Sequence, residues 1–276
     1  MRKLLAILLL MFLCVRSADF LIEEVDVTVS GIKSDGSAKV HESIKMIMYG
    51  DYPISVYDSG ISNNDLSFWS QGTALKDVKF HMNPSTVTIQ DVRLRPQPRT
   101  KCNPIQGICH GELILDYTAY PSYTNGTIPA PIPGTGIFNI DPYKPRTKRY
   151  TLNPSALSFT TTADGNTILD DKEHLIIVLP QDSTVLDLNP QPSDVSLLLP
   201  THVDQLSWND IVLVKFSLVF DMEEGIDKEV TDFFTSITNN AYKTMTGPDG
   251  IAIAALFIII IGSYVYITIS KRRGED

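Results

Sequence analysis

Positive charge is in short supply in this chain. Its 276 residues carry 23 Lys and Arg against 32 Asp and Glu, a formal net charge of −9. Nucleic-acid binding draws its affinity from basic surfaces that meet phosphates, so this balance argues against a nucleic-acid partner. Cysteine is scarcer still, at three residues, and a metal site at Cys102 and Cys109 would need further ligands at short spacing, which His110 alone does not supply. Catalytic signatures are missing too: there is no G-x-S-x-G, H-E-x-x-H, phosphate-binding loop or dinucleotide fingerprint. The five histidines, His41, His81, His110, His174 and His202, are scattered, with no two at helical ligand spacing. No catalytic, cofactor or metal residue is assigned on this basis, and the chain reads as non-enzymatic. His202-Val-Asp204 is the nearest thing to a ligand pair. Asp164, Asn166, Asp170 and Asp171 would hold calcium only if a loop gathered them, whereas Asp-Gly-Asn is ordinary turn chemistry.

Long apolar runs are confined to the two ends. Ile251 to Ser270 reads IAIAALFIIIIGSYVYITIS, without a charge, and Lys271, Arg272 and Arg273 follow. Hydrocarbon cannot satisfy backbone amides, so such a run predicts a spanning helix over 250–270, in contact with membrane lipid through 251–270. The basic triplet places 271–276 as a cytoplasmic tail and everything upstream outside. At the other end, Arg2 and Lys3 precede an apolar run from Leu4 to Val15, the layout of a secretory signal over 1–17. The expected topology is a single-pass cell-membrane protein with its N-terminus outside. Cys102 and Cys109 remain after cleavage, and the segment between them contains Pro104 and Gly107, so a disulfide is expected in that oxidising compartment. Asn125-Gly126-Thr127 is a usable glycosylation sequon, unlike Asn83-Pro84-Ser85 and Asn153-Pro154-Ser155, where proline intervenes.

Between the ends the dominant period is two. Val25, Val27 and Val29 alternate with polar residues; Val40, Ile44, Met46 and Met48 share a face, as do Leu113, Leu115 and Tyr117. Val212, Val214, Phe216, Leu218 and Phe220 form the longest alternating face, while Val185–Leu188 and Val195–Leu199 read as further strands. Turns such as Lys33–Gly36 and Ala163–Gly165 separate these runs. The fold class expected is mainly β, one or two antiparallel β-sandwich domains, with Trp208 packed in a core. Prolines and glycines between Pro121 and Pro145 suggest a division: a first β domain at 18–122, a linker or loop at 123–136, and a second β domain at 137–223. One large sandwich with a long surface loop is the alternative.

A helical stripe of Ile226, Val230, Phe233 and Ile237 then predicts a juxtamembrane amphipathic helix over 224–246, packed on protein and offering a partner contact. Glu42 stands out because it falls on the apolar face between Val40 and Ile44, where a carboxylate must be paired, near a strand end, or shifted in pKa.

The strand VDVTV, the Asp35-Gly-Ser37 turn and the strand with Val40, Glu42 and Ile44 resemble the opening of uncharacterised prokaryotic, archaeal-type single-pass membrane proteins with a β-rich exoplasmic head. The layout is also similar to the lumenal part of ribophorin-like oligosaccharyltransferase subunits, by architecture alone. Neither resemblance carries catalytic residues. Both imply an exoplasmic surface or membrane-complex subunit that contacts a protein partner in the envelope. A carbohydrate-binding module or hydrolase with a loop-built site is the alternative.

Overall fold

The computed structural model describes residues 19–124, 132–144 and 146–223. The expected signal 1–17, Asn125, the stripe of Ile226, Val230, Phe233 and Ile237, the span 250–270 and the tail 271–276 lie outside the described residues. Among the described residues, no helix is long and apolar enough to cross a membrane.

The period-two segments form strands. β1 (Asp19–Ser30) and β2 (Ala38–Tyr49) are joined by the Lys33–Gly36 turn. There Gly36 N donates to Lys33 O (3.1 Å) and Gly36 takes φ 85°, a conformation that costs glycine nothing. β3 (Thr88–Pro96), β4 (Thr100–Asn103) and β5 (Ile108–Tyr120) follow, then β6 (Phe138–Lys144) and β7 (Thr147–Leu152). The last five strands are β8 (Thr160–Thr161), β9 (Thr167–Val178), β10 (Ser183–Asn189), β11 (Gln205–Leu213) and β12 (Ser217–Glu223). The larger sheet has the order β11-β9-β1-β2-β5-β3, with β4 on β5 and β8 on β9; the smaller is β10-β12-β7-β6. Every ladder is antiparallel except β1–β9, which is parallel. The larger sheet takes strands from both sides of the expected 123–136 division, and the described residues cluster as one compact unit.

Both sheets feed one buried cluster, in which Val25, Val27, Ile44, Leu113 and Leu175 of the larger sheet join Tyr150, Val185, Leu218 and Phe220 of the smaller. Trp208 is fully buried there, as expected, and its Nε1 donates to Pro190 O (3.1 Å). Phe20 and Val25 are an odd number of residues apart yet both face inward. A bulge between Ile22 and Glu24 resets the alternation, which also turns Glu23 and Glu24 outward together.

Three sequence expectations change. The long face from Val212 to Phe220 is not one strand. Leu213 ends β11 facing inward, Lys215 adopts φ 50°, and Phe216 restarts the inward phase before β12, leaving Val212 and Val214 exposed. The even spacing of those residues hid a turn that carries the chain from one sheet to the other. Val195–Leu199 is loop, with Leu198 91% exposed. Pro190, Pro192 and Pro200 withhold ladder donors around it, and Leu197 N bonds the Gln191 side chain instead (2.9 Å).

The third change is helical. α1 (Asp51–Gly60) and α2 (Leu66–Thr73) cross one end of the larger sheet's inner face. Asp65 caps α2, its Oδ1 accepting from Ser67 N (2.9 Å). Tyr57 of α1 meets Trp69 of α2 edge to face at 5.2 Å. Tyr57 also lies so close to β5 that a Cβ at Gly111 would overlap its ring. Its Oη donates to Gln97 O (2.7 Å) and accepts from Glu112 N (2.9 Å), and burial pushes the phenol up to about 12.

Candidate functional site

Two groups of titratable side chains lie on opposite faces of the larger sheet. The inner group is built on Glu42. β2 alternation carries this carboxylate inward, and it is fully buried. Its register partners Val27 and Leu115 on β1 and β5 wall it with hydrocarbon. The segment after α2 crosses above it, tied down where Ser158 N donates to His81 O (2.8 Å) and Asn83 N to Ala156 O (2.8 Å). This crossing brings His81, also fully buried, onto the carboxylate. His81 N donates to Glu42 Oε1 (2.9 Å), His81 Nδ1 lies 2.9 Å from Oε2, and Tyr117 Oη donates to Oε1 at 2.5 Å. Burial, then the charge and hydrogen bond of Glu42, hold the Tyr117 phenol far above its ordinary range. Phe159 covers the imidazole at 5.1 Å.

One atom of this group has no partner: His81 Nε2 is buried without a hydrogen bond. Towards β9 lies a cavity of about 310 Å³ lined by Asp77, Asp170, Lys172 and Glu173 among others. Burial pushes the Glu173 carboxyl up; Asp77 adds to this and the His81 charge opposes it. The group is thus an electrostatic knot linking β2, β5, β9 and the 77–81 segment. Its carboxylate, imidazole and phenol are closed to solvent.

The outer group runs across the strands in rows. Asp26 of β1 is opposite His174 of β9 and Ser43 of β2, and Glu24 is opposite Lys45. Lys45 Nζ bonds Glu24 and, at 3.2 Å, Asp26. His174 Nδ1 lies 2.8 Å from Asp26 Oδ1 and 3.5 Å from Glu24 Oε1. Ser43 Oγ donates to Glu112 Oε1 (2.6 Å). His41 Nδ1 lies 2.7 Å from Asp116 Oδ1, whose other oxygen takes Arg95, and His110 Nδ1 lies 2.7 Å from Glu23 Oε2. Hydrogen bonding to Glu24 leads the causes that raise the Lys45 ammonium pKa.

Glu24, Asp26 and His174 are the one trio of ligand-type side chains gathered among the described residues. The ammonium of Lys45 already sits between the two carboxylates, so the cation position is filled by the chain itself. The other sequence candidates are dispersed. Asn166 Oδ1 accepts from Lys215 N (3.1 Å) and Asp170 Oδ1 from Lys172 N (3.0 Å), which is loop chemistry and no calcium cage. His202 Nδ1 rests on Ser183 O (2.8 Å). Cys102 and Cys109 are bonded, closing the β4–β5 hairpin. Sequence reading singled out Glu42 but missed His81 and Tyr117 as its partners. They come from 39 and 75 residues away, and only strand pairing brings them in. No protein-family model and no curated protein matches this chain.

Proposed function

We propose that the chain is a membrane-anchored, exoplasmic β-sandwich protein that acts as a non-enzymatic interaction subunit, at the cell surface or in a membrane complex. The single observation that carries this reading is the outer face of the larger sheet. Across β9, β1, β2, β5 and β3 it presents a broad polar surface whose acids, bases and histidines are paired in rows. Paired groups hold their side chains in fixed places, which suits recognition of a complementary protein surface.

The strand edges add to it. β3 is bulged between Gln90 and Arg93, β11 between Asn209 and Ile211, and β10 between Val185 and Asp187, while β6 carries Pro142. Such devices keep edges from pairing with other chains, so a partner is met by the face and not by strand addition. The uncharged run 251–270 with its basic tail supplies the anchor.

The test uses full-length protein captured from detergent-solubilised native membranes, compared with a variant carrying His41→Glu and Arg95→Glu. Loss of a specific co-purifying protein in the variant, with an unchanged unfolding curve, supports the reading. Identical recovery from both would overturn it. Protease added to intact cells should remove the head, and protection of residues 20–220 would remove the exoplasmic placement.

A cavity of about 710 Å³ lined by Asp35, Asn139, Asp141 and Lys148, with Ile132 and Ile140, supports a second reading as a carbohydrate-binding module. Glycan-array binding lost in Asn139→Ala is the outcome that would favour it.

A further inference from the structure

The disulfide sits in surroundings that a purely structural cross-link does not need. Its two sulfurs differ in access: Cys102 lies on the exposed strand β4, whereas Cys109, facing inward on β5, is 3% exposed. A guanidinium is aimed at both. Arg99 Nη1 stands 3.5 Å from Cys109 Sγ and 3.8 Å from Cys102 Sγ. The other edge of Arg99 is held from α1, its Nε lying 3.0 Å from Asp58 Oδ1. This ion pair orients the side chain and leaves Nη1 free to face sulfur.

We propose that Cys102–Cys109 is an exchangeable disulfide that takes electrons from an external dithiol, entering at exposed Cys102 while Arg99 stabilises the Cys109 thiolate that departs. The step balances. A thiolate of the dithiol attacks Cys102 Sγ along the sulfur–sulfur axis, the Cys102–Cys109 bond breaks, and its electron pair leaves on Cys109 Sγ beside Arg99. A mixed disulfide now joins the reductant to Cys102. The second thiol of the reductant, deprotonated, attacks its own sulfur in that mixed disulfide and releases Cys102 as thiolate. The reductant leaves as a disulfide, and its two protons and two electrons account for the two protein thiols.

The physical reasons are access and charge. Exchange requires a sulfur open to the incoming thiolate, and it quickens as the leaving thiolate becomes more stable. An adjacent arginine stabilises a thiolate, and here it is nearest the buried sulfur that must leave. The hairpin is also coupled to the helical cap, because Gly50 N donates to Gly107 O (2.7 Å) at the start of α1. Opening the bond would therefore loosen a turn that presents Ile105, 95% exposed, beside that helix.

The test uses the full chain in detergent micelles without denaturant. Dithiothreitol serves as the dithiol probe, and freed thiols are trapped by alkylation and located by peptide mapping. Reduction is expected under native conditions, and Arg99→Ala should slow it roughly three- to ten-fold, with Arg99→Lys restoring most of the rate. Glutathione, a monothiol, should leave its adduct on Cys102 of the unaltered chain, a readout that needs no variant to fold. Reduction seen only at denaturant concentrations that unfold the head would overturn the proposal. So would an adduct on Cys109, or equal rates for the unaltered chain and Arg99→Ala.

Discussion

Glu42 and Glu24 belong to neighbouring strands of one sheet, yet opposite faces hold them in opposite ways. Glu42 points into the core and is held by a backbone amide, an imidazole and a phenol, with His81 the single base within ion-pair reach among the described residues. Glu24 points outward and is held by the ammonium of Lys45, with a third of its side chain in solvent. Moving a charge into hydrocarbon costs far more than water-exposed pairing returns, so the inward carboxylate must be surrounded by donors that cannot leave. The outward one needs only a nearby cation, and solvent screens most of that attraction. A carboxylate of the first kind organises the chain around it; one of the second kind decorates a surface.

That contrast is sharpest at Glu42 itself. Glu42→Ala strands His81 N, His81 Nδ1 and the Tyr117 hydroxyl in a closed core, and is expected to cost about 3–5 kcal/mol. Glu42→Gln keeps an acceptor at Oε1 and should cost clearly less. Urea unfolding of the two variants checks this, and a cost for Glu42→Ala under 1 kcal/mol would abolish the distinction between the faces.

The next effect belongs to the same inner face, at its helical end. Gly111→Ala drives a methyl into the Tyr57 ring, which is pinned by Gln97 O and Glu112 N and cannot swing aside. Overpacking of this sort costs about 1–3 kcal/mol. A lower thermal midpoint is expected, with near-ultraviolet circular dichroism changed through the Tyr57–Trp69 pair. The same change at Gly50, where a Cβ meets nothing within 4 Å but φ is 86°, should cost less.

What the sequence made legible follows from this division. Alternation revealed the strands because a sheet with one buried face forces period two on its residues, and Val25, Val27, Val29 and Ile44 are all fully buried. It also exposed Glu42 as the residue out of place. Alternation does not carry partners. Tyr117 looked like one more core aromatic, and His81 sat between strands with no pattern to mark it. Nor does alternation report where a run changes sheet, which is why Val212 to Phe220 read as one strand. α1 and α2 were missed because each spans few turns and their burial rests on a few large side chains, Tyr57 and Trp69, instead of a sustained stripe. The disulfide was legible from the two cysteines expected to remain after cleavage and the turn residues Pro104 and Gly107 between them; Arg99 facing it was not.

Acidity should separate two carboxylates of the same sheet with opposite signs. Burial raises the Glu173 carboxyl, so the folded state binds its proton more readily than the unfolded chain does. Its contribution is unfavourable at neutral pH, and stability is regained as pH falls through the raised folded value. Asp116 behaves in reverse. Burial pushes it up, but hydrogen bonds from His41 and Arg95 outweigh this and leave it lowered. Its stabilisation is present above the ordinary carboxylate range and lost as pH falls through the lowered value. Glu173→Gln should therefore raise stability at neutral pH and flatten its rise on mild acidification, while Asp116→Asn should lower it at neutral pH. Chemical denaturation between neutral and acid pH reads both, and the same sign for the two variants would refute the assignment.

The smallest effect is expected on the outer face. Lys45→Met removes the ammonium between Glu24 and Asp26 and leaves His174 as their remaining basic neighbour among the described residues. Because Lys45 and Glu24 each keep about a third of their side chain in water, the loss should be at most about 1 kcal/mol, and it should shrink further with added salt as screening rises. Unfolding curves of the unaltered chain and Lys45→Met at low and high salt should converge. If Lys45→Met instead cost as much as Glu42→Ala and ignored salt, the outer rows would be holding the fold together as the inner knot does, and the difference between the two faces would vanish.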